Sequence, residues 1–276
     1  MEAPLPVERH RAIVALLADR RVVRVSALAE ALGVSEVTVR RDLEALERRG
    51  LLERTHGGAV SVLRMRSEPP YLEAATSHPE EKRAIGRAAA ALIQPGDTVF
   101  LNGGTTTLEV LRHLEQPGVR VVTNHLGMAL EAAERDVQLI LTGGRYRSPS
   151  NSVTGPFATA ALRGIHASRA FIGVEGISLR HGLTTPSEAE AEVARVMIEQ
   201  TAGEVTVVAD HSKLGTVADL AIAPLSGVHR LVTDDGISEE YRQGLSEAGV
   251  EVVVAGAPAP AMAALAPHSS QEEGRG

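Results

Sequence analysis

Residues Ser35 to Gly50 read as one complete helix, and this helix restricts what the first third of the chain can become. Ser35 suits an N-cap, because its hydroxyl can take a free amide of the first turn. Val39, Leu43 and Leu46 fall at i, i+4 and i+7, so one face is apolar. Gly50 supplies the stop, and Arg48 and Arg49 sit where the helix dipole favours cations. The opposite face carries Ser35, Glu36, Thr38, Arg40 and Arg41. These are the donors and cations with which a recognition helix meets base edges and phosphates.

The neighbouring residues complete a recognisable unit. Ile13, Leu16 and Leu17 lie at helical spacing within residues 7–19. Ser26 is expected to start a second short helix with Leu28, Ala31 and Leu32 inward, and Gly33-Val34 turns the chain into the third. Two helices joined by a short glycine-containing turn form a helix-turn-helix. Beyond Gly50, Leu51 to Thr55 and Ala59 to Val62 read as strands around a His56-Gly57-Gly58 turn. That hairpin is a wing, with Arg54, His56, Gly57 and Gly58 within reach of a DNA backbone. The competing reading treats Arg40–Glu44 and Glu44–Arg48 as i,i+4 pairs on a solvated face. The helix-turn-helix before them and the wing after them favour double-stranded DNA as the partner.

Charge supports this once the chain is divided. Residues 1–66 hold 12 Arg and no Lys against 9 acidic residues, net +3. The remainder holds 16 basic and 26 acidic residues, net −10. Sign asymmetry between domains is the informative quantity. A module of only +3 is expected to act as a homo-oligomer, dimer or tetramer, on paired half-sites.

With 276 residues there is room for two domains. No run of 18 apolar residues is present, so no membrane partner is expected. No signal peptide is visible, and cysteine is absent, which excludes disulfides and thiolate metal sites. The expected setting is the cytoplasm. Ten histidines are scattered without His-x-x-x-His spacing, so neither metal nor cofactor is expected.

Residues 1–63 are thus assigned to the winged domain, and 64–78, charged and carrying Pro69-Pro70, to a linker. Residues 79–256 form the second domain, and the Ala/Pro-rich stretch 257–276 reads as a disordered tail. The second domain opens on a helix over 80–93. Strands at 98–101, 119–122, 138–141, 170–173, 205–209, 230–233 and 250–254 then alternate with helices. The helices are expected from 105 to 114 and over 126–133, about 158–164, 188–201 and 238–248. Such alternation predicts an α/β domain with a mostly parallel sheet, following an α+β winged domain. Ligands in such sheets bind at the carboxyl ends of the strands.

Those ends share a chemistry. Asn102-Gly103-Gly104-Thr105-Thr106-Thr107 follows the first strand and opens a helix. Glycines admit an anion, hydroxyls donate to it and the helix N-terminus faces it. The run lacks the Gly-Lys-Ser/Thr of a Walker loop and the spacing of a dinucleotide fingerprint, and a plain turn is the alternative. Other strands end in Thr123-Asn124, Thr142-Gly143-Gly144 and Asp210-His211-Ser212-Lys213. Lys213 is one of two lysines against 26 arginines, which suggests a need for a compact point charge. An Asp–Lys surface pair is the plain alternative. Glu175 is added to the candidate set as the one carboxylate in the turn after 170–173, and His125 and His211 adjoin it.

The chain resembles the DeoR family of bacterial transcription regulators. The resemblance rests on Thr38-Val39-Arg40-Arg41-Asp42-Leu43, His56-Gly57-Gly58-Ala59, Lys82, Gly104-Thr105-Thr106, Thr123-Asn124, Asp210 and Ser212-Lys213. It implies a repressor whose C-terminal domain resembles ribose-5-phosphate isomerase and senses a phosphorylated sugar that releases DNA. The carry-over places phosphate on Gly104 to Thr107 and Lys213, and sugar hydroxyls near Thr123, Asn124 and Asp210. Two positions depart from the family pattern: Asn102-Gly103 stands where an acidic and a small residue are common, and Ala194 where Lys is common.

The leading function is that of a sugar-phosphate-responsive repressor of carbohydrate-metabolism genes, not an enzyme. An isomerase with a DNA module would need a positioned base. The isomerase resemblance would want an acidic run after strand 170–173, where Val174-Glu175-Gly176-Ile177 stands instead, with Glu188, Glu190 and Glu192 the carboxylates nearby. A DNA binder with a ligand-dead domain is opposed by the Thr- and Lys-bearing strand ends.

Overall fold

The computed structural model describes residues 4–133 and 135–256; the tail assigned to 257–276 lies outside the described residues. The chain opens with α1 (Pro6–Arg20), β1 (Val22–Arg24), α2 (Val25–Leu32) and α3 (Glu36–Arg48). Strands β2 (Leu52–Arg54) and β3 (Gly58–Ser61) follow. Ser35 caps α3, its hydroxyl accepting from the Thr38 amide at 3.3 Å. Val39, Leu43 and Leu46 bury fully against Ile13, Leu17 and Leu28. Each such side chain contributes roughly 1.5–3 kcal/mol relative to leaving it exposed. Gly33 ends α2 in the left-handed region at φ +64°, a conformation that costs most residues a clash at Cβ.

Two local expectations are corrected here. Ser26 does not start the second helix: Arg24 is its N-cap, and Val25 enters with its amide bonded to Gly57 O at 2.9 Å. The reason is β1, a three-residue strand too short to show in the sequence pattern. It adds a third strand to the wing in the order β1-β3-β2 and so carries the chain straight into α2.

The segment 64–78, expected as a linker, contains structure. β4 (Leu63–Met65) and α4 (Tyr71–Thr76) lie in and beside it. Helix α5 (Pro79–Ala90) then leads into β5 (Thr98–Leu101), α6 (Thr105–Arg112), β6 (Arg120–Thr123), α7 (Gly127–Ala132) and β7 (Gln138–Leu141). A hairpin of β8 (Arg145–Arg147) and β9 (Ser152–Thr154) precedes α8 (Pro156–Arg163) and β10 (Ala167–Ile172). Short strands β11 (Gly176–Ser178) and β12 (Gly182–Thr185), helix α9 (Glu188–Glu199) and β13 (Thr201–Val208) come next. The described chain closes with β14 (Thr216–Ala218), β15 (Leu220–Ala223), β16 (Arg230–Thr233), α10 (Glu239–Glu247) and β17 (Glu251–Val254).

The main sheet has seven parallel strands in the order β17-β16-β13-β10-β5-β6-β7. Both faces are covered. Val99, Leu101 and Phe171 pack with α5 and α6, while Phe100, Ala170 and Ile172 face the core shared with α8 and α9. From β5 the chain winds through β6 and β7 to one side, then returns through β10, β13, β16 and β17 on the other. The strand order therefore reverses between β5 and β10, which is where such sheets open a crevice for a ligand.

The two domains are joined by more than the chain. β4 pairs in parallel with β14. Glu53 of β2 is buried, and its carboxylate accepts from the Ser178 hydroxyl and from the Leu179 amide, the latter at 2.9 Å. Arg24 reaches Glu240 at 2.6 Å.

Candidate functional site

On the DNA-facing side, Ser35, Glu36, Arg40 and Arg41 are exposed along the first turns of α3, with Thr38 half-buried. Asp42, between them and the core, is different. It is buried, and takes Arg9 at 2.6 and 3.0 Å and His10 at 3.1 Å. Asp42 thus pins α1 to α3 and sets the angle at which Arg40 and Arg41 are presented. Arg40 pairs with Glu36 at 3.0 Å, and Glu44 with Arg54 at 3.2 Å, in place of the two helical pairs weighed from spacing. Ser26 is exposed on α2. His56 and Gly57 are exposed at the wing tip, His56 lying 3.7 Å from Glu247. Gly58 is buried: a Cβ there would stand 2.3 Å from Val23 O, so its role is close strand packing.

The second site is a cavity of about 170 Å³ at the carboxyl ends of β5, β10 and β13, on the crevice where the strand order reverses. Asn102, Gly103, Gly104, Thr105, Thr106, Glu175, Asp210 and Lys213 line it, as expected from the strand ends. The amides at the start of α6 have no carbonyl before them, and Leu108 is the first to bond back, to Gly104 O at 3.2 Å. A Cβ on Gly103 would lie 2.9 Å from the Ser152 Cβ, so the loop needs glycine to close against β9.

The other expected contacts are structural. Thr107 is buried, its hydroxyl donating to Asn102 O at 2.8 Å and to Gly104 O at 2.9 Å, which holds the loop shape. Thr123 accepts from the His125 amide. Asn124 accepts from the Gly103 amide at 2.8 Å and donates to Val153 O, tying β6 to β9. Gly143 and Gly144 are exposed, and a Cβ on Gly144 would meet Thr154 O at 2.6 Å, so they start the hairpin rather than line the cavity.

Several lining residues escaped the strand-end argument. Lys82 of α5, the chain's other lysine, lines the same cavity. Its ammonium donates to Ala74 O at 2.5 Å and Ser77 O at 2.7 Å, holding α4 against the site. Burial pushes its pKa down, opposed first by Asp210. Lysine scarcity is the sequence signal for it, as for Lys213: the chain has two lysines, and both reach this cavity. Glu190 accepts from Ser150 at 2.6 Å and Ser152 at 2.5 Å. Glu68 is held by Arg147 at 2.8 Å; burial, opposed by that arginine and reinforced by Glu175 and Glu190, raises its carboxyl to about 7. Lys213 meets Glu175 at 3.0 Å. Two ammonium groups and five carboxylates around one small cavity suit a ligand with both an anionic group and hydroxyls.

Spacing suggested no metal cluster, yet the fold brings His78, Asp210 and His211 together, with donor atoms all within 4.8 Å. Among the described residues no helix is long and apolar enough to cross a membrane.

Comparison with known proteins agrees with both halves. A family model for the DeoR-like helix-turn-helix domain matches residues 9–64, and one for the DeoR C terminal sensor domain matches 77–235. The HTH-type transcriptional regulator GlpR of Haloferax volcanii is 39% identical over 90% of this chain and 98% of its own. The transcriptional repressor AccR of Agrobacterium fabrum is 37% identical over 83% of this chain and 90% of its own. The putative aga operon transcriptional repressor of Escherichia coli O157:H7 is 35% identical over 90% of this chain and 94% of its own. Among solved structures, ribose 5 phosphate isomerase A from Neisseria gonorrhoeae is similar over 52% of this chain and 56% of that one, at 13% identity and a TM-score of 0.38. That likeness is too distant to speak to activity. With a winged helix-turn-helix presenting Arg40 and Arg41 and a parallel-sheet sensor domain behind it, the chain belongs to the DeoR family of DNA-binding transcriptional regulators.

Proposed function

We propose that this protein represses carbohydrate-metabolism genes and that a small phosphorylated sugar, bound in the cavity between β5, β10 and β13, releases it from its operator. The observation that carries this reading is the convergence of both lysines of the chain on one cavity that also receives the α6 N-terminus and five carboxylates. Phosphate suits the α6 amides and Lys213. Hydroxyls suit Glu190, Glu68 and Asp210. The names of relatives as operon and transcriptional repressors support the direction of the response. The protein would work in the cytoplasm as a homo-oligomer, dimer or tetramer, on paired half-sites.

A ligand shifts a two-state equilibrium only by its difference in affinity for the two states. Coupling of about 1–3 kcal/mol is usual. The test is fluorescence anisotropy of labelled DNA from upstream of the protein's own gene and its neighbours, at fixed salt, with phosphorylated sugars titrated in. Tight binding released by one sugar phosphate is expected. Binding indifferent to every one of them sinks the sensor reading.

One observation favours a second reading, a sugar-phosphate isomerase. Glu68, held near 7 in the cavity, has the titration a general base needs. Its partner Arg147 and its position between the two domains argue for a positioning role. Turnover of ribose 5-phosphate by the purified protein would reverse this preference.

A further inference from the structure

His78 precedes α5, and Asp210 and His211 follow β13, so only the fold makes them neighbours. Asp210 is buried and lines the cavity. One of its oxygens, Oδ1, accepts from the Ser212 amide and hydroxyl; the other, Oδ2, takes no hydrogen bond among the described residues. The two imidazoles are half-buried and meet edge to face, ring centres 5.0 Å apart.

The surroundings of His211 carry the argument. Its Nδ1 lies 2.7 Å from Asp234 Oδ2, while its backbone amide donates to Asp234 Oδ1 at 2.7 Å. Asp234 is itself buried and held by the Gly236 amide at 3.0 Å. A carboxylate that accepts a hydrogen bond from Nδ1–H fixes the tautomer and leaves Nε2 with its lone pair free, the arrangement that orients metal-binding histidines. Gly236 leaves room for the ring: a Cβ there would stand 2.5 Å from His211 Cγ. His78 is held at φ +51°, in the left-handed region that non-glycine residues avoid, and such strain collects at binding sites.

We propose that His78, Asp210 and His211 bind a divalent transition cation of the zinc class at the wall of the effector cavity. Two imidazoles and one carboxylate suit zinc and its first-row neighbours, whereas magnesium and calcium prefer all-oxygen sites. Three protein ligands leave a coordination position open. Because Asp210 also lines the cavity, that position serves an oxygen of the effector, a clause that rests on the sensor reading; the cation site itself does not. Neither nearby ammonium is bonded to Asp210: Lys82 is held by Ala74 and Ser77 carbonyls, and Lys213 by Glu175. Asp210 and Asp234 supply the compensating charge.

The test uses metal-stripped, untagged, full-length protein titrated with zinc chloride and with magnesium chloride by calorimetry. One zinc per chain is expected, with magnesium weaker by about 100-fold or more. H78A is expected to weaken zinc by at least about 10-fold, and D234N, which weakens the group behind His211 without replacing a ligand, by about 10–100-fold. Equal affinity for zinc and magnesium overturns the proposal, as does zinc binding unchanged in H78A and D234N. Should either variant fail to fold, cobalt absorption of the wild type decides. Intense visible bands of nitrogen-ligated cobalt support the site, and a hydrated-ion spectrum overturns it. Zinc binding without release from DNA by any sugar phosphate would leave the cation site standing and remove only the sensor reading.

Discussion

The Asn102 side chain donates to Gly173 O at 2.9 Å and accepts from Gly173 N at 2.8 Å, clasping the ends of β5 and β10 where the sheet reverses its order. An amide can do both; a carboxylate cannot. Asn102 is therefore a clasp across the crevice, with both ends of its amide engaged. Replacing it with alanine is expected to lower stability by about 2 kcal/mol, since two bonds are lost and the half-buried Gly173 amide is left unpaired. Asn102→Asp should do at least as much harm, because the second oxygen would face the Gly173 carbonyl. Urea denaturation of the two variants checks this, and wild-type stability in both would remove the clasp.

Neighbouring residues of α3 should separate cleanly. Arg41→Ala is expected to weaken operator binding by about 1–3 kcal/mol while leaving the melting temperature alone. Asp42→Ala removes the shared partner of Arg9 and His10 from a buried site, and should cost about 3–5 kcal/mol of stability in the winged domain. Anisotropy and calorimetry on the same two proteins give four numbers that must fall in this pattern.

Lys213→Met should leave DNA affinity unchanged and raise the effector concentration needed for release by about 10-fold or more, as expected for a lost charged hydrogen bond of about 1.5–3 kcal/mol. An unaltered release curve would take phosphate away from Lys213.

Glu68 makes the fold sensitive to pH. Its carboxyl is raised from the ordinary 4.5 to about 7, mainly by burial. Below 4.5 it is protonated folded or unfolded and adds no penalty. Between 4.5 and 7 the unfolded chain loses the proton first, so stability falls as pH rises, and the loss is complete above 7. Glu68→Gln should remove that component, so its denaturation midpoint should fall less than wild type's between pH 4.5 and 7. Parallel curves for the two proteins would contradict the assignment.

Glu53 links wing to sensor through Ser178 and Leu179. Glu53→Gln is expected to reduce the ratio of DNA affinities measured without and with effector, because the carboxylate bonds that transmit a shift between domains are weakened. A ratio equal to wild type's would place the coupling in the β4–β14 pairing instead.

What the sequence alone determined is short-range. Caps such as Ser35, the 3.6-residue spacing of Val39, Leu43 and Leu46, and the β-branched runs at 98–101 and 119–122 are decided within a few residues, so helices, parallel strands and the winged unit could be read directly. The Gly-Thr loop at 102–107 and Lys213 were legible for the same reason. Strands of three residues such as β1, β4, β11 and β14 are too short to show periodicity, and they exist because a partner distant in sequence holds them.

The site's remaining chemistry belongs to tertiary structure. Lys82, Glu68 and Glu190 join the cavity from α5, the interdomain segment and α9, and no spacing rule relates them. Thr107, Thr123 and Asn124 were expected to touch ligand, and burial turned them into the scaffold behind it. Whether a polar side chain binds a ligand or braces a loop depends on which neighbour reaches it first, and on how much water the fold removes. Both quantities come into being only when distant segments meet.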